Sequence, residues 1–572
     1  MAGPMKERIT ELLCAALERA RAAGQLKSEA PAFSVEAPRD PNHGDAATNV
    51  AMTLARTEGK PPALIAAIIL ANFEPGDDIA ELRIAGPGFI NFRMAPEFWY
   101  RRMRQAAREG QRFWYPQIGG GRKVNVEFLS ANPTGPLTVG HGRNAVLGDT
   151  IAAMHEATGF HVVREYYFNN GGRQMRMLAG SVRARYLQEL GIDAAMPEDG
   201  YQGEYIRDIA HDLVLRNGDR LVEGAAEEIF KNAAERAIFA DIRNTCERLA
   251  IKFDVYTNEL DLIRAGKVDA VVEGLRGRGL IAEYDGAVWL RGEPLGLPKD
   301  RVLIRSGPER EPTYRTPDIA YHIDKLERGF DLIIDVFGAD HIAEHEGVAA
   351  AVRALGHDTS SIRVIIYQFV TLTRGGEKVK MSTRKATYVT LDELIDEVEQ
   401  SVEQSGKDIY GGTGSDVARF FFLFRKSDTH LDFDIDLAKR RAPENPVFYV
   451  QYAHARLASV FREAAKAGLA LPEEFEKIDL GLLSEEELSL ARRLLDLPGV
   501  IKGSVEDLEP HRVPFFLLQL AGEFHSYYNK PTNRIIGEDQ ELSRARLFLA
   551  GLVKSAIASG LRLLGVSAPE RM

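Results

Sequence analysis

The chain has 572 residues, too many for one hydrophobic core, so three or four domains of ~100–200 residues are expected. Its 45% apolar and 27% charged residues are those of a globular protein, and no apolar run reaches the ~18 residues that would span a bilayer. A net charge of −11 argues against a uniformly basic nucleic-acid binder, and two cysteines, Cys14 and Cys246, exclude a Cys-based zinc cluster and argue against a disulfide framework.

From the N-terminus, Ile9, Leu12, Leu13, Ala16 and Leu17 are spaced as a helix, with no signal-peptide core. A turn at Asn42 to Asp45, a helix with Val50, Met52 and Leu54, and a strand–turn–strand over 82–92 complete a small α+β unit. Five arginines (Arg101, Arg102, Arg104, Arg108, Arg112) then crowd one stretch with Glu109 as its only acid. A solvated helix face and a phosphate contact explain it equally well.

Residues 123–128 alternate as a strand, a Gly/Pro-rich loop follows, and a helix over 140–158 is stopped by Gly159. A second strand at 161–167 makes a βαβ unit of a parallel sheet. A helical stretch over 173–249 interrupts the pattern, strands return at 287–290 and 302–304, and the runs 332–336 and 363–367 resume the alternation. From Leu391 the chain reads helical to its end, with Pro446 a possible break and amphipathic helices over 447–464 and 543–564.

The expected architecture is a multidomain α/β protein. A small N-terminal α+β domain spans 1–115, and a doubly wound, Rossmann-like parallel-sheet domain spans 116–390 with a helical insertion at about 175–300. A helical connector (391–445) and an all-α bundle (446–572) follow.

Two segments carry chemistry. Asn132 to His141 runs from a strand through a Pro/Gly loop into a helix N-terminus, whose unpaired N–H groups and partial positive charge seat a phosphate. Gly135 and Gly140 allow close backbone approach, and His141 can donate to phosphate oxygens. Far downstream, Gly376 to Lys385 is a dense cationic loop after a strand, suited to charge building on a leaving pyrophosphate.

Thr138-Val139-Gly140-His141 resembles the first signature of the class I aminoacyl-tRNA synthetases, and Lys380-Met381-Ser382-Thr383-Arg384 resembles the second. Glu127 to Leu137, Tyr314 to Tyr321, Gly338-Ala339-Asp340-His341 and the terminal Leu563 to Met572 look like arginyl-tRNA synthetases, in family order over essentially the whole chain.

The resemblance implies that arginine and ATP give arginyl-adenylate and pyrophosphate, after which the 2′-hydroxyl of the tRNA terminal ribose takes the arginyl group. It implies ATP accompanied by Mg²⁺, no structural metal, tRNA as partner and required before activation, no membrane, and a cytoplasmic monomer. The catalytic set would be Thr138, His141, Lys380, Ser382 and Arg384. ATP would meet Gly140, His141, Gly338, Asp340, His341, Lys380 and Met381.

An arginine pocket needs carboxylates for a guanidinium that cannot lose its charge. Asp318 is expected to read the guanidinium, Tyr314 to stack on it or bond it, and Glu127 to meet the α-ammonium beside Asn132. The C-terminal unit would bind the anticodon through Tyr452, Tyr527, Tyr528, Asn529 and Met572, and the N-terminal unit the tRNA elbow through Phe89 and Asn91. Thr138 and Thr383 depart from the signatures, which leaves open an RNA-binding relative with decayed catalysis. A different amino acid on the same scaffold is a further alternative, opposed by acids at both 127 and 318.

Overall fold

Val, Ile and Phe concentrate in runs that pair as one five-stranded parallel sheet, seen in a computed structural model that describes all residues except 1–3, 30, 37, 39, 41–42, 225, 308–309, 340–341, 380–388 and 404–412. The order across the sheet is Ile362–Tyr367, Leu332–Gly338, Lys123–Glu127, His161–Phe168, Val255–Asn258. The chain winds outward from Lys123–Glu127 in one direction, then returns to its other side at Leu332–Gly338. That reversal puts a crevice at the carboxyl ends of these two strands, where doubly wound sheets bind ligands.

Both faces of the sheet are covered. Val124, Val126 and the intervening Asn125 are all fully buried, and Asn125 donates to the buried Glu165 at 2.6 Å. The helix Val139–Ala157 is enclosed as well, with Arg143, Asn144, Asp149 and Thr150 buried beside its apolar residues. Its Gly148 lies so close to the strand end that an added Cβ would fall 2.2 Å from the Phe128 side chain.

Four sequence expectations are corrected. Residues 281–284, 287–290 and 301–304 do not rejoin the parallel sheet; they form a separate antiparallel sheet. That sheet shares a small core (Val268, Leu275, Leu290, Leu303, Ile319) with the helices around it. The insertion is not purely helical either: after helices Gly172–Glu189, Glu204–Asn217 and Glu227–Arg248, Val255–Asn258 returns to the main sheet as its edge strand. Third, the region after Leu391 contains a strand, Leu431–Asp434, which pairs in parallel with Val370–Arg374. Pro446 begins a helix rather than breaking one: it occupies the first turn of Pro446–Lys466, capped by Asn445 accepting from the Val447 N–H at 3.1 Å.

The N-terminal unit packs helix Pro4–Ala22 and two shorter helices on a four-stranded antiparallel sheet. The arginine-rich helix, Pro96–Glu109, fits neither sequence reading well. Arg101 pairs with Asp78, Arg108 with Glu476, and Arg104 donates to the Ile478 carbonyl at 3.0 Å, so three of the arginines anchor neighbouring parts of the chain. Trp114 and Tyr115 add bonds of 2.9 Å each to Ser555 and Ser559 on the last long helix, Gln540–Leu563.

Candidate active site

At the switch point the strand Lys123–Glu127 ends in two consecutive non-glycine residues with positive φ, Leu129 (+67°) and Ser130 (+42°). Such conformations cost of order 1–3 kcal/mol each and persist only where the surroundings fix them. Asn144 does so here: its side-chain oxygen accepts from the Leu129 N–H at 2.6 Å, and its amide donates to Val336 O at 3.0 Å on the adjacent strand. The strained turn, the helix and the neighbouring strand end are thereby held by one side chain.

Thr138 stands at the N-terminus of the helix with extended backbone, and its N–H donates to His141 Nδ1 at 3.1 Å. With Nδ1 accepting, the neutral ring carries its proton on Nε2; burial pushes the His141 pKa down and favours that neutral form. The chain that follows the second motif reaches this end of the helix from the other side. Thr390 bridges Thr138, and the Leu391 N–H donates to Leu137 O at 2.8 Å. Lys380, Met381, Ser382, Thr383 and Arg384 themselves lie outside the described residues, as do Asp340 and His341.

These elements enclose a cleft of about 730 Å³ that brings together Glu127, Asn132, Thr138, Gly140, His141, Tyr314, Asp318 and Gly338. Its wall is acidic. Burial pushes Asp318 up to about 7, with Glu127, Glu259 and Glu344 adding to the rise against the pull of His322. No described residue makes an ion pair or side-chain hydrogen bond with the Asp318 carboxyl. Tyr314 is half-exposed at the mouth, one helical turn before it.

Beneath the cleft lies a buried charge network. Lys325, fully buried on helix Arg315–Glu327, pairs with Glu127 and, at 2.6 Å, with Asp335. His322 joins the other Asp335 oxygen at 3.1 Å and the Asp318 carbonyl at 2.7 Å. Burial alone would raise Asp335, but Lys325 and His322 outweigh it and hold the pKa well below the usual carboxylate range. Burial raises Glu127, against the pull of Lys325 and with a push from Asp335. Glu127 also accepts from Ser130 Oγ at 3.0 Å, so both its oxygens are engaged within the protein.

Glu259 is the acid that sequence reasoning missed. It directly follows the edge strand as the first residue of helix Glu259–Arg264, and is held by Tyr167 Oη (2.9 Å) and Asn169 Nδ2 (2.6 Å). Burial raises its pKa. Its signal, an acid directly after Tyr256-Thr257-Asn258, was hidden because that run was assigned to the insertion rather than to the sheet.

The residues expected to meet RNA are scattered. Tyr452 is 36% exposed, and the Arg456 guanidinium lies 5.1 Å from its ring and 4.7 Å from that of Tyr528. Arg456 also donates to the exposed Asn529 at 3.1 Å. Tyr527 is instead buried, its hydroxyl donating to Glu487 at 2.8 Å, and so packs the bundle. Phe89 is exposed, whereas its strand neighbour Asn91 is buried. Met572 is partly exposed beside Glu570, whose carbonyl accepts from Arg462 at 3.0 Å.

Three family profiles match the chain in succession. They are described as the arginyl tRNA synthetase N terminal domain (residues 7–94), the catalytic domain of class I (R) tRNA synthetases (104–409) and the DALR anticodon binding domain (450–572). The arginine–tRNA ligase of Desulfotalea psychrophila is 48% identical over 541 residues, covering 94% of this chain and 95% of its own. That of Citrifermentans bemidjiense is 44% identical over 574 residues, covering 99% and 100%. The solved structure of Thermus thermophilus arginyl-tRNA synthetase superimposes with a TM-score of 0.75 at 24% identity over 99% of this chain and 100% of that one, a likeness of fold.

Proposed function

The chain belongs to the arginyl-tRNA synthetases, ligases that activate arginine with ATP and charge tRNA, and from that premise we propose how the cleft divides the work. The observation that carries the reading is Asp318: a desolvated carboxyl on the cleft wall, unpaired among the described residues, with Glu259 among the acids near it. Such a carboxyl is completed by a permanent cation with a planar fork of donors, which a guanidinium is and an ammonium is not. Tyr314 covers that guanidinium at the mouth, and Glu259 holds its far edge.

Glu127, already engaged by Lys325 and Ser130, sets the floor, and the α-ammonium rests against it and Asn132. His141 donates Nε2–H to the ATP phosphates over the helix N-terminus at Gly140, and Thr138 keeps that ring aimed. A threonine can therefore stand at the first signature position without loss of the helix cap, which speaks against the decayed-catalysis reading. Gly338, with Asp340 and His341 after it, meets the nucleoside, and Mg²⁺ accompanying ATP would offset charge on its phosphates. Lys380, Met381, Ser382 and Arg384 are assigned to the ATP phosphates and the leaving pyrophosphate. The 2′-hydroxyl of the tRNA terminal ribose then attacks the adenylate carbonyl and loses its proton; the ester forms as the bond from that carbonyl to the phosphate oxygen breaks and AMP leaves.

The four-part division expected from the sequence is retained as the division of labour, with 1–115 on the tRNA elbow through Phe89 and 446–572 on the anticodon through Tyr452, Tyr528 and Asn529. Tyr527 and Asn91 are assigned to packing. We take the chain to work as a cytoplasmic monomer; no described helix is long and apolar enough to cross a membrane.

The test is Asp318→Asn with steady-state aminoacylation. Losing one charged partner of a desolvated pair costs ~2–5 kcal/mol, so KM for arginine is expected to rise roughly 30-fold or more while KM for ATP stays within about threefold. An unchanged arginine KM would remove Asp318 from the pocket. Binding of tRNA with no charging by the unaltered protein would favour the decayed relative.

A further inference from the structure

Arg419 is 1% exposed on helix Gly414–Leu423, and its guanidinium spans three parts of the molecule. Nε donates to Leu564 O at 2.7 Å, Nη1 to Leu249 O at 2.7 Å, and Nη2 to Asp149 Oδ2 at 2.6 Å. Leu564 is the C-cap of the last helix of the anticodon unit, and Leu249 the C-cap of the insertion helix Glu227–Arg248. Both carbonyls sit at the negative ends of helix dipoles, so one cation satisfies two termini. Asp149 belongs to the helix Val139–Ala157, which Thr138 caps and which carries His141 in its first turn; it lies eight residues after His141, about 12 Å along the axis.

The surroundings are shaped for this contact. Gly565 has φ +65°, and a Cβ there would stand 2.4 Å from the Arg419 guanidinium. One turn earlier on the same helix, Asp416 accepts from the Ser567 N–H at 2.9 Å and from Gln451 Nε2 at 3.1 Å. Residues 564–567 are thus fixed to the helix Gly414–Leu423 from two sides. Asp149 has a second, looser partner in Arg164 at 3.6 Å.

We propose that Arg419 is a positioning residue for aminoacylation, linking the end of the anticodon unit through Asp149 to the helix that carries His141. The link rests on the reading that the C-terminal bundle holds the anticodon. A displacement of the last helix when tRNA docks cannot be absorbed locally, because close-packed elements shift between discrete arrangements rather than deform. It is passed to the ion pair and so to the placement of His141 over the ATP phosphates. Lysine could keep the charge but could not make three bonds in fixed geometry.

The experiment is a double-mutant cycle on the full-length protein, between tRNA with its anticodon bases replaced and two protein variants, Arg419→Lys and Asp149→Asn. Melting temperature establishes which variants fold; the milder Asp149→Asn carries the cycle if Arg419→Lys does not. For the unaltered protein, anticodon replacement is expected to lower kcat at least about tenfold and to raise KM for tRNA. In a folded variant, kcat with normal tRNA should fall to a similar level, and anticodon replacement should then change kcat less than about threefold while its KM effect persists. If the two losses in kcat simply multiply, or the variants retain full kcat, the link is overturned. If anticodon replacement changes neither kcat nor KM in the unaltered protein, the anticodon reading itself fails and takes the link with it.

Discussion

The residue whose chemistry is set most sharply by its surroundings is Asp318. With its pKa pushed up to about 7, the carboxyl ahead of substrate binding is neutral in acid and charged above neutrality. Arginine recognition requires the charged form, so KM for arginine is expected to fall as pH rises from 6 to 8, by up to about tenfold per unit below 7. The stability effect has the opposite sign. The folded value exceeds the unfolded one near ~4, so the contribution of this group is present in acid and lost as pH climbs through 7. Asp318→Asn should flatten the acid limb of the arginine KM profile. Below it, Lys325→Met would leave Glu127 and Asp335 buried without their cation. A cost of about 3–5 kcal/mol is expected, measured as an earlier unfolding transition in denaturant. The place of Asp318 and Tyr314 in the cleft was legible in the sequence because they sit in a recognisable run. Lys325 and Asn144 were not: their roles exist only once the strands close, and a lysine on an amphipathic helix reads as surface.

Among elements, the helix Val139–Ala157 governs the site, and its seat on the strand end depends on Gly148. Gly148→Ala would drive a methyl into Phe128, an overpacking that costs about 1–3 kcal/mol and tilts the helix that carries His141. The expected result is a roughly tenfold loss in kcat, larger than the change in arginine KM, checked by steady-state kinetics beside a melting curve. The limits of this helix were readable to within a residue from Gly140 and Gly159, because glycine punctuates a helix by its own backbone chemistry. The edge strand Val255–Asn258 and the strand Leu431–Asp434 were not readable. Four residues are too few to show a period of two, and each exists only because a partner strand supplies its hydrogen bonds.

For the whole molecule, the unit boundaries are crossed by specific buried polar bonds rather than by loose linkers. Removing residues 564–572 would strand Arg419 and Asp416 without several of their partners, at about 1–3 kcal/mol for each buried group left unsatisfied. Removing only Arg571 and Met572 leaves those bonds in place. Calorimetry should therefore separate the two deletions, with an earlier first transition for the longer one and little change for the shorter. The order of the units along the chain could be read from the motifs. Which side chains join them could not, since a buried arginine and a glycine 146 positions later carry no mutual mark in one sequence.

The same arginine sets a schedule for the newborn chain. Arg419 is made 145 residues before the carbonyl that completes it. At ~5–20 residues per second the ribosome takes roughly 7–30 s to deliver that partner. Through that interval the nucleotide-binding core has all its strands but lacks the clasp on its signature helix. Its final consolidation therefore waits until Leu564 and the residues beside it have emerged, when the two parts of the machine are fastened in a single step.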